Sequence, residues 1–227
     1  MLIAMFILLM RKLNRKYSVL SRLKSLKGNR LKAKIVFVSL LFFLKMSSNA
    51  QSQTLSFEVR KNNSHIGNIS ITKRINSDTV VYDLFSKIKA KIILSFNVTG
   101  IEKTIYKHGL LIYSSVYRKL NAKEKVNKEL HFNAGKYRLV NSGRISTLPV
   151  SKINTNLVLL YFNEPVNISQ VYCDNQNSMA NIVLIETGKY RVTFPDGSYN
   201  IFYYQNGKCK KVDVFASLYE VQLISTL

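Results

Sequence analysis

The chain has 227 residues, with 34 Lys and Arg against 12 Asp and Glu, a net charge of +22. Residues 1–50 hold 11 of the basic residues and no acid, so residues 51–227 keep 23 basic and 12 acidic residues, a net +11. That remainder is spread as single lysines, such as Lys87, Lys89 and Lys91, in the manner of a solvated strand face, and it argues against a nucleic-acid partner.

Residues 1–30 carry eight Lys or Arg and no acid. They read as a basic extension or as a misplaced gene start, with Leu31 or Met10 as the alternative initiator. The stretch that follows, "RLKAKIVFVSLLFFLKMSSNAQSQ", runs from basic through apolar to small residues. Its apolar centre, Ile35 to Leu44, has ten residues. A membrane span needs about 20. The order of charge, apolar run and small residues over 31–50 therefore predicts a signal peptide cut after Ala50. A core helix or a retained anchor are the other readings. No Cys stands at the cut to take a lipid, and the mature domain, 51–227, is expected in the periplasm or outside the cell.

From residue 51 the signal has period two. Leu55, Phe57 and Val59 alternate with Ser56, Glu58 and Arg60, and the pattern returns at Ile69 and Ile71, at Val80, Tyr82 and Leu84, and at Tyr190, Val192 and Phe194. Breaks at "HG" 108–109, "NAG" 133–135, "NSG" 141–143, "ETG" 186–188, "PDG" 195–197 and "QNG" 205–207 have hairpin chemistry. One segment differs. Asn154 to Pro165 opens on capping-type residues, places Leu157, Leu160 and Tyr161 at helical spacing, and stops at proline. It predicts one short helix lying across the sheet, with a buried strand as the alternative. "CDNQNSMAN", 173–181, reads as a polar loop with little to hold it. The fold class is therefore mainly β: an antiparallel meander forming a curved sheet or half-barrel, with one short helix packed across it, in a single domain.

Chemistry is scarce. The sequence has no G-x-S-x-G, H-E-x-x-H, C-x-x-C or phosphate-cradling glycine loop, and His65, His108 and His131 are scattered. No cofactor, metal or catalytic residue is expected. Cys173 and Cys209 form an even pair for which an oxidising compartment allows a disulfide, and two buried thiols are equally ordinary. Tyrosine is abundant: Tyr113 and Tyr117 share a strand face, as do Tyr199 and Tyr203. Core packing or a ligand lining would use them.

The segments "LSFEVRKNNSHIGNISITKRI", "VLLYFNEP" and "YRVTFPDGSYNIFYYQNGKCKKVDV", behind a leader ending in "NAQ", resemble an uncharacterised family of exported Bacteroidetes proteins, a domain of unknown function. The likeness covers roughly residues 53–225 and rests on turns rather than catalytic signatures. It implies a curved antiparallel sheet with one helix, broadly similar to LolA-type half-barrels that hold lipid groups, and it carries over no functional residue. Two expectations follow. One is a non-catalytic periplasmic module holding a lipid or other apolar ligand in its concave face, with Leu157, Leu160, Tyr161, Tyr199 and Tyr203 as the face or core. The other is an envelope protein–protein or scaffolding domain that uses an exposed sheet edge and needs no ligand.

Overall fold

A computed structural model describes residues 51–91, 95–217 and 219–226. The expected leader and signal peptide, 1–50, lie outside the described residues.

Period-two segments become strands throughout. In chain order they are β1 (Gln51–Lys61), β2 (Ser64–Asn76), β3 (Thr79–Lys91), β4 (Ser95–Lys107), β5 (Leu110–Leu120), β6 (Lys123–Asn133), β7 (Lys136–Asn141) and β8 (Arg144–Thr147). A helical turn α1 (Leu157–Leu160) follows. The remaining strands are β9 (Gln170–Cys173), β10 (Ser178–Glu186), β11 (Lys189–Thr193), β12 (Tyr199–Gln205), β13 (Lys208–Ala216) and β14 (Tyr219–Ser225). The protein is mainly β, built as one antiparallel sheet in the order β8-β7-β6-β5-β4-β3-β2-β1-β14-β13-β12-β11-β10-β9. No helix among the described residues is long and apolar enough to cross a membrane.

That order explains the connection in the middle of the chain. The first eight strands march outward from β1 to one edge, and the last six march back from the other edge until β14 pairs with β1. The chain leaving β8 must therefore reach the opposite edge of the sheet to begin β9. A flat sheet would separate β6 and β9, eleven places apart in the order, by about 50 Å. Yet Lys128 on β6 donates hydrogen bonds to Asn175 and Asn177, in the turn just after β9. The sheet is rolled, and residues 148–169 cross its concave side.

Those crossing residues fill the roll. Phe57, Val59, Ile71, Tyr82, Tyr106, Val192, Phe202, Val212 and Leu223 point inward from the sheet and are buried. Ile153, Val158 and Leu160 enter from the crossing segment and are buried against them. The Tyr161 ring meets Phe57 at 5.2 Å and Phe202 at 5.7 Å, both edge-on, and Phe162 meets Tyr82 at 5.3 Å. Tyr204 Oη donates to the Leu160 carbonyl at 2.6 Å. Near its start the plug is held by Tyr137, whose Oη accepts from the Ile153 N–H at 3.1 Å and donates to the Leu111 carbonyl at 2.8 Å. Each large apolar side chain buried this way contributes roughly 1.5–3 kcal/mol.

The short helix expected within Asn154–Pro165 is a single turn, Leu157–Leu160. Asn156 stands at its N-cap position but makes no capping hydrogen bond, because its side chain is used elsewhere. The 173–181 stretch is corrected: it is the end of β9, a four-residue turn and the start of β10.

The hairpin turns take the positive-φ geometry their residues favour, as at His108 (φ 49°) and Gly109 (φ 75°) between β4 and β5. Several turns use no glycine, among them Asn62 (φ 48°) and Asn63 (φ 65°) between β1 and β2, and one of these puts an alanine in the left-handed region: Asn121 (φ 48°) and Ala122 (φ 65°) join β5 to β6. A left-handed alanine costs about 1 kcal/mol. Ala122→Gly is therefore expected to stabilise the domain by about 0.5 kcal/mol after the added freedom of the unfolded chain is counted, as read by urea denaturation.

Candidate functional site

Most inward positions of the sheet are apolar, but one stretch is polar. Alternation along β4 to β6 turns Glu102 and Thr104, then Ser114 and Arg118, then Lys128 toward the concave side. Asn156, fully buried just before α1, reaches three side chains, two on β4 and one in the β9–β10 turn. Its Nδ2 donates to Asp174 Oδ2 at 2.8 Å and to Thr104 Oγ1 at 3.3 Å, and its Oδ1 accepts from Tyr106 Oη at 3.1 Å. Lys128 Nζ donates to the Asn175 carbonyl at 2.8 Å and to Asn177 Oδ1 at 3.0 Å. Beside them Arg118 donates to Glu102 at 2.6 Å. The cluster fastens β4, β6, the plug and the β9–β10 turn together.

A pocket of about 10 Å³, room for roughly one water, opens among Ser114, Lys128, Leu130, Leu139, Tyr172, Asp174 and Asn177. Asp174 Oδ1 and Ser178 Oγ are shut off from solvent and have no hydrogen-bond partner. Burial pushes the Asp174 carboxyl up to about 6, helped by the charge of Glu102 and opposed by Ser114, Asn156 and Lys128. Burial likewise lowers the Lys128 ammonium, and the Asp174 charge only partly offsets it.

The Asp174 shift has a definite sign. The folded carboxyl binds its proton more tightly than the unfolded one, whose reference value is 3.8. Its contribution to stability is complete below that value and is lost as pH rises through about 6. Asp174→Asn should remove that slope. Relative to wild type it is expected to gain on the order of 2 kcal/mol between pH 4 and pH 8, measured by denaturation at both.

A second feature lies at the sheet edge. β9 pairs with β10 only over Ser178–Asn181, with one further bond from the Ile182 N–H to the Ser169 carbonyl. Beyond it β10 continues past its neighbour, and among the described residues no strand covers that side. Alternation leaves the Leu184 N–H and C=O directed outward there. Val183, Leu184 and Ile185 are 57%, 58% and 49% exposed, three consecutive apolar residues on an open edge.

A family model described as "Domain of unknown function (DUF6134)" matches residues 57–226. The chain belongs to that family. The match runs from the middle of β1 through β14 and so takes in the plug, the polar cluster and the open edge of this DUF6134 domain. The crystal structure of a β-barrel-like protein of the domain of unknown function DUF1849, from Brucella abortus, is similar to it with a TM-score of 0.52. The identity is 8%, over 78% of this chain and 96% of that one, a likeness of fold alone. No curated protein matches the DUF6134 chain.

Of the residues singled out from sequence, Leu160 is buried in the plug, and Leu157 and Tyr161 pack half-buried against the core. Tyr199 and Tyr203 are on the opposite, convex face. On β12 it is Phe202 that turns inward, because both alternation sets of "YNIFYYQ" carry aromatics and the set containing Phe202 and Tyr204 meets the core. The outward rings are covered by cations instead: Arg191 lies 3.9 Å from the Tyr199 ring centre, and Lys211 and Lys189 lie 4.1 and 5.3 Å from that of Tyr203. Tyr113 and Tyr117 also face outward, since Ser114 and Val116 take the inner positions of β5. Cys173 and Cys209 are free, buried thiols. They stand on β9 and β13, four strands apart in the sheet order, and are not joined to each other. Burial pushes Cys209 up to about 12. Sequence reading passed over Asn156, Lys128 and Asp174, each of which looks like an ordinary polar residue of a cap, a strand face or a loop.

Proposed function

We propose that this DUF6134 domain is an exported, non-catalytic interaction module of the cell envelope that takes an extended apolar segment of another envelope protein onto the open edge of β10. The observation that carries this is the run Val183-Leu184-Ile185, exposed along backbone that no described strand covers. Natural sheets blunt such edges with charge, proline or a covering segment, and an edge left apolar is suited to strand addition. Export is supported by the basic, apolar and small residues of 31–50, and sequencing the mature N-terminus tests it, with Gln51 expected first. For the edge, a photo-crosslinking residue at Val183 is expected to trap an envelope protein in cells. The same probe at Arg138, exposed on β7, serves as control. Leu184→Lys should abolish the adduct and leave the melting temperature nearly unchanged. Equal labelling at both sites would end the proposal.

A second reading, a lipid or other apolar ligand on the concave face, has one observation in its favour. Past the Arg118–Glu102 pair, Ile88, Val98 and Leu120 form a cross-strand apolar row that is only half-buried. Its obstacle is the plug, which already fills the rest of that face. Native mass spectrometry of protein purified from envelopes distinguishes the two readings: a co-purifying lipid favours the second.

A further inference from the structure

The cluster around Lys128 brings an amine, a side-chain amide and a carboxyl together in one small pocket. Lys128 is 7% exposed on β6, and its Nζ sits 3.0 Å from Asn177 Oδ1. Asn177 is fixed in the left-handed conformation (φ 54°) of the β9–β10 turn. Asp174 lines the same pocket, with Oδ1 unpartnered and closed to solvent and Oδ2 held by Asn156.

We propose that Lys128 and Asn177 condense spontaneously into an intramolecular isopeptide bond, with Asp174 as the proton carrier. Lys128 Nζ, as the free amine, attacks Cγ of Asn177 while the protonated Asp174 carboxyl donates toward Oδ1. Asp174 then takes a proton from Nζ and delivers one to Nδ2. As the Cγ–Nδ2 bond breaks and ammonia leaves, the carbonyl re-forms and Oδ1 returns the first proton to Asp174, so the carboxyl ends as it began. One C–N bond replaces another and nothing is oxidised or reduced. Burial favours both reactive forms, the neutral amine and the protonated carboxyl. Holding the groups in contact supplies the proximity that an amine and an amide in water lack. The product would tie β6 to the β9–β10 turn and lock the roll covalently, where the hydrogen-bonded ladder leaves two edges open.

Mass spectrometry of the purified protein tests this directly. The expected mass is one ammonia below that of the processed sequence, and trypsin should release residues 126–136 joined to residues 153–189. Lys128→Arg and Asn177→Ala should each restore the full sequence mass. Asp174→Ala retains both reactants and should also keep the full mass, with circular dichroism confirming the fold. A folded wild-type protein at full mass, cut normally after Lys128, overturns the proposal whatever the variants do.

Discussion

Asn156→Ala is expected to destabilise the domain by about 3–4 kcal/mol, measured by chemical denaturation at neutral pH. The change deletes little volume, so the magnitude comes from what it strands. Tyr106 Oη loses its acceptor, Thr104 Oγ1 loses a donor, and Asp174 Oδ2 loses the amide that holds it. Asp174 already carries one unpartnered oxygen, and a shielded carboxylate without either partner is costly. Asp174→Asn in the same background should recover part of the loss, because it removes the charge that Asn156 serves. Full additivity of the two changes would mean that the side chains act independently, contrary to their 2.8 Å contact.

Tyr161→Ala is expected to cost about 3–5 kcal/mol, the range for removing a large aromatic from a packed interior. The ring joins the plug to both halves of the sheet, touching Phe57 on β1 and Phe202 on β12. Tyr161→Phe keeps both ring contacts and should stay within about 1 kcal/mol of wild type. The alanine variant also bears on function. It opens an apolar void in the concave face, and uptake of a fluorescent fatty acid by the variant but not by wild type would show that the plug, rather than the sheet, excludes such ligands. Equal uptake by both would show that the plug yields in the native protein and would favour the lipid reading over the edge reading.

Period two and turn chemistry made the strands legible, because both are local properties: a strand shows its faces to its own neighbours in sequence, and Asn-Gly tolerates the left-handed backbone wherever it occurs. Lone alanine at position 122 escaped for the same reason, since its conformation is imposed by the strands it joins. Which face of β12 turns inward was not legible, as aromatics occupy both alternation sets and only the packing of Phe202 against Tyr161 chooses between them. Leu157, Leu160 and Tyr161 could be picked out as an apolar segment near a proline, but not that Asn156, at the N-cap position of their single helical turn, spends its side chain on Tyr106, Thr104 and Asp174.

By itself, then, the sequence determined a β meander with hairpin turns and an apolar segment between its two halves. Tertiary structure alone decided the rest. The pairing of β1 with β14 put the sheet's two edges at β8 and β9, and the chain joining them had to cross the concave side, which brought Lys128, Asn156 and Asp174 together from three separate stretches. No local pattern records such a meeting, because these contacts follow from how the sheet rolls and not from the spacing of residues along any one strand.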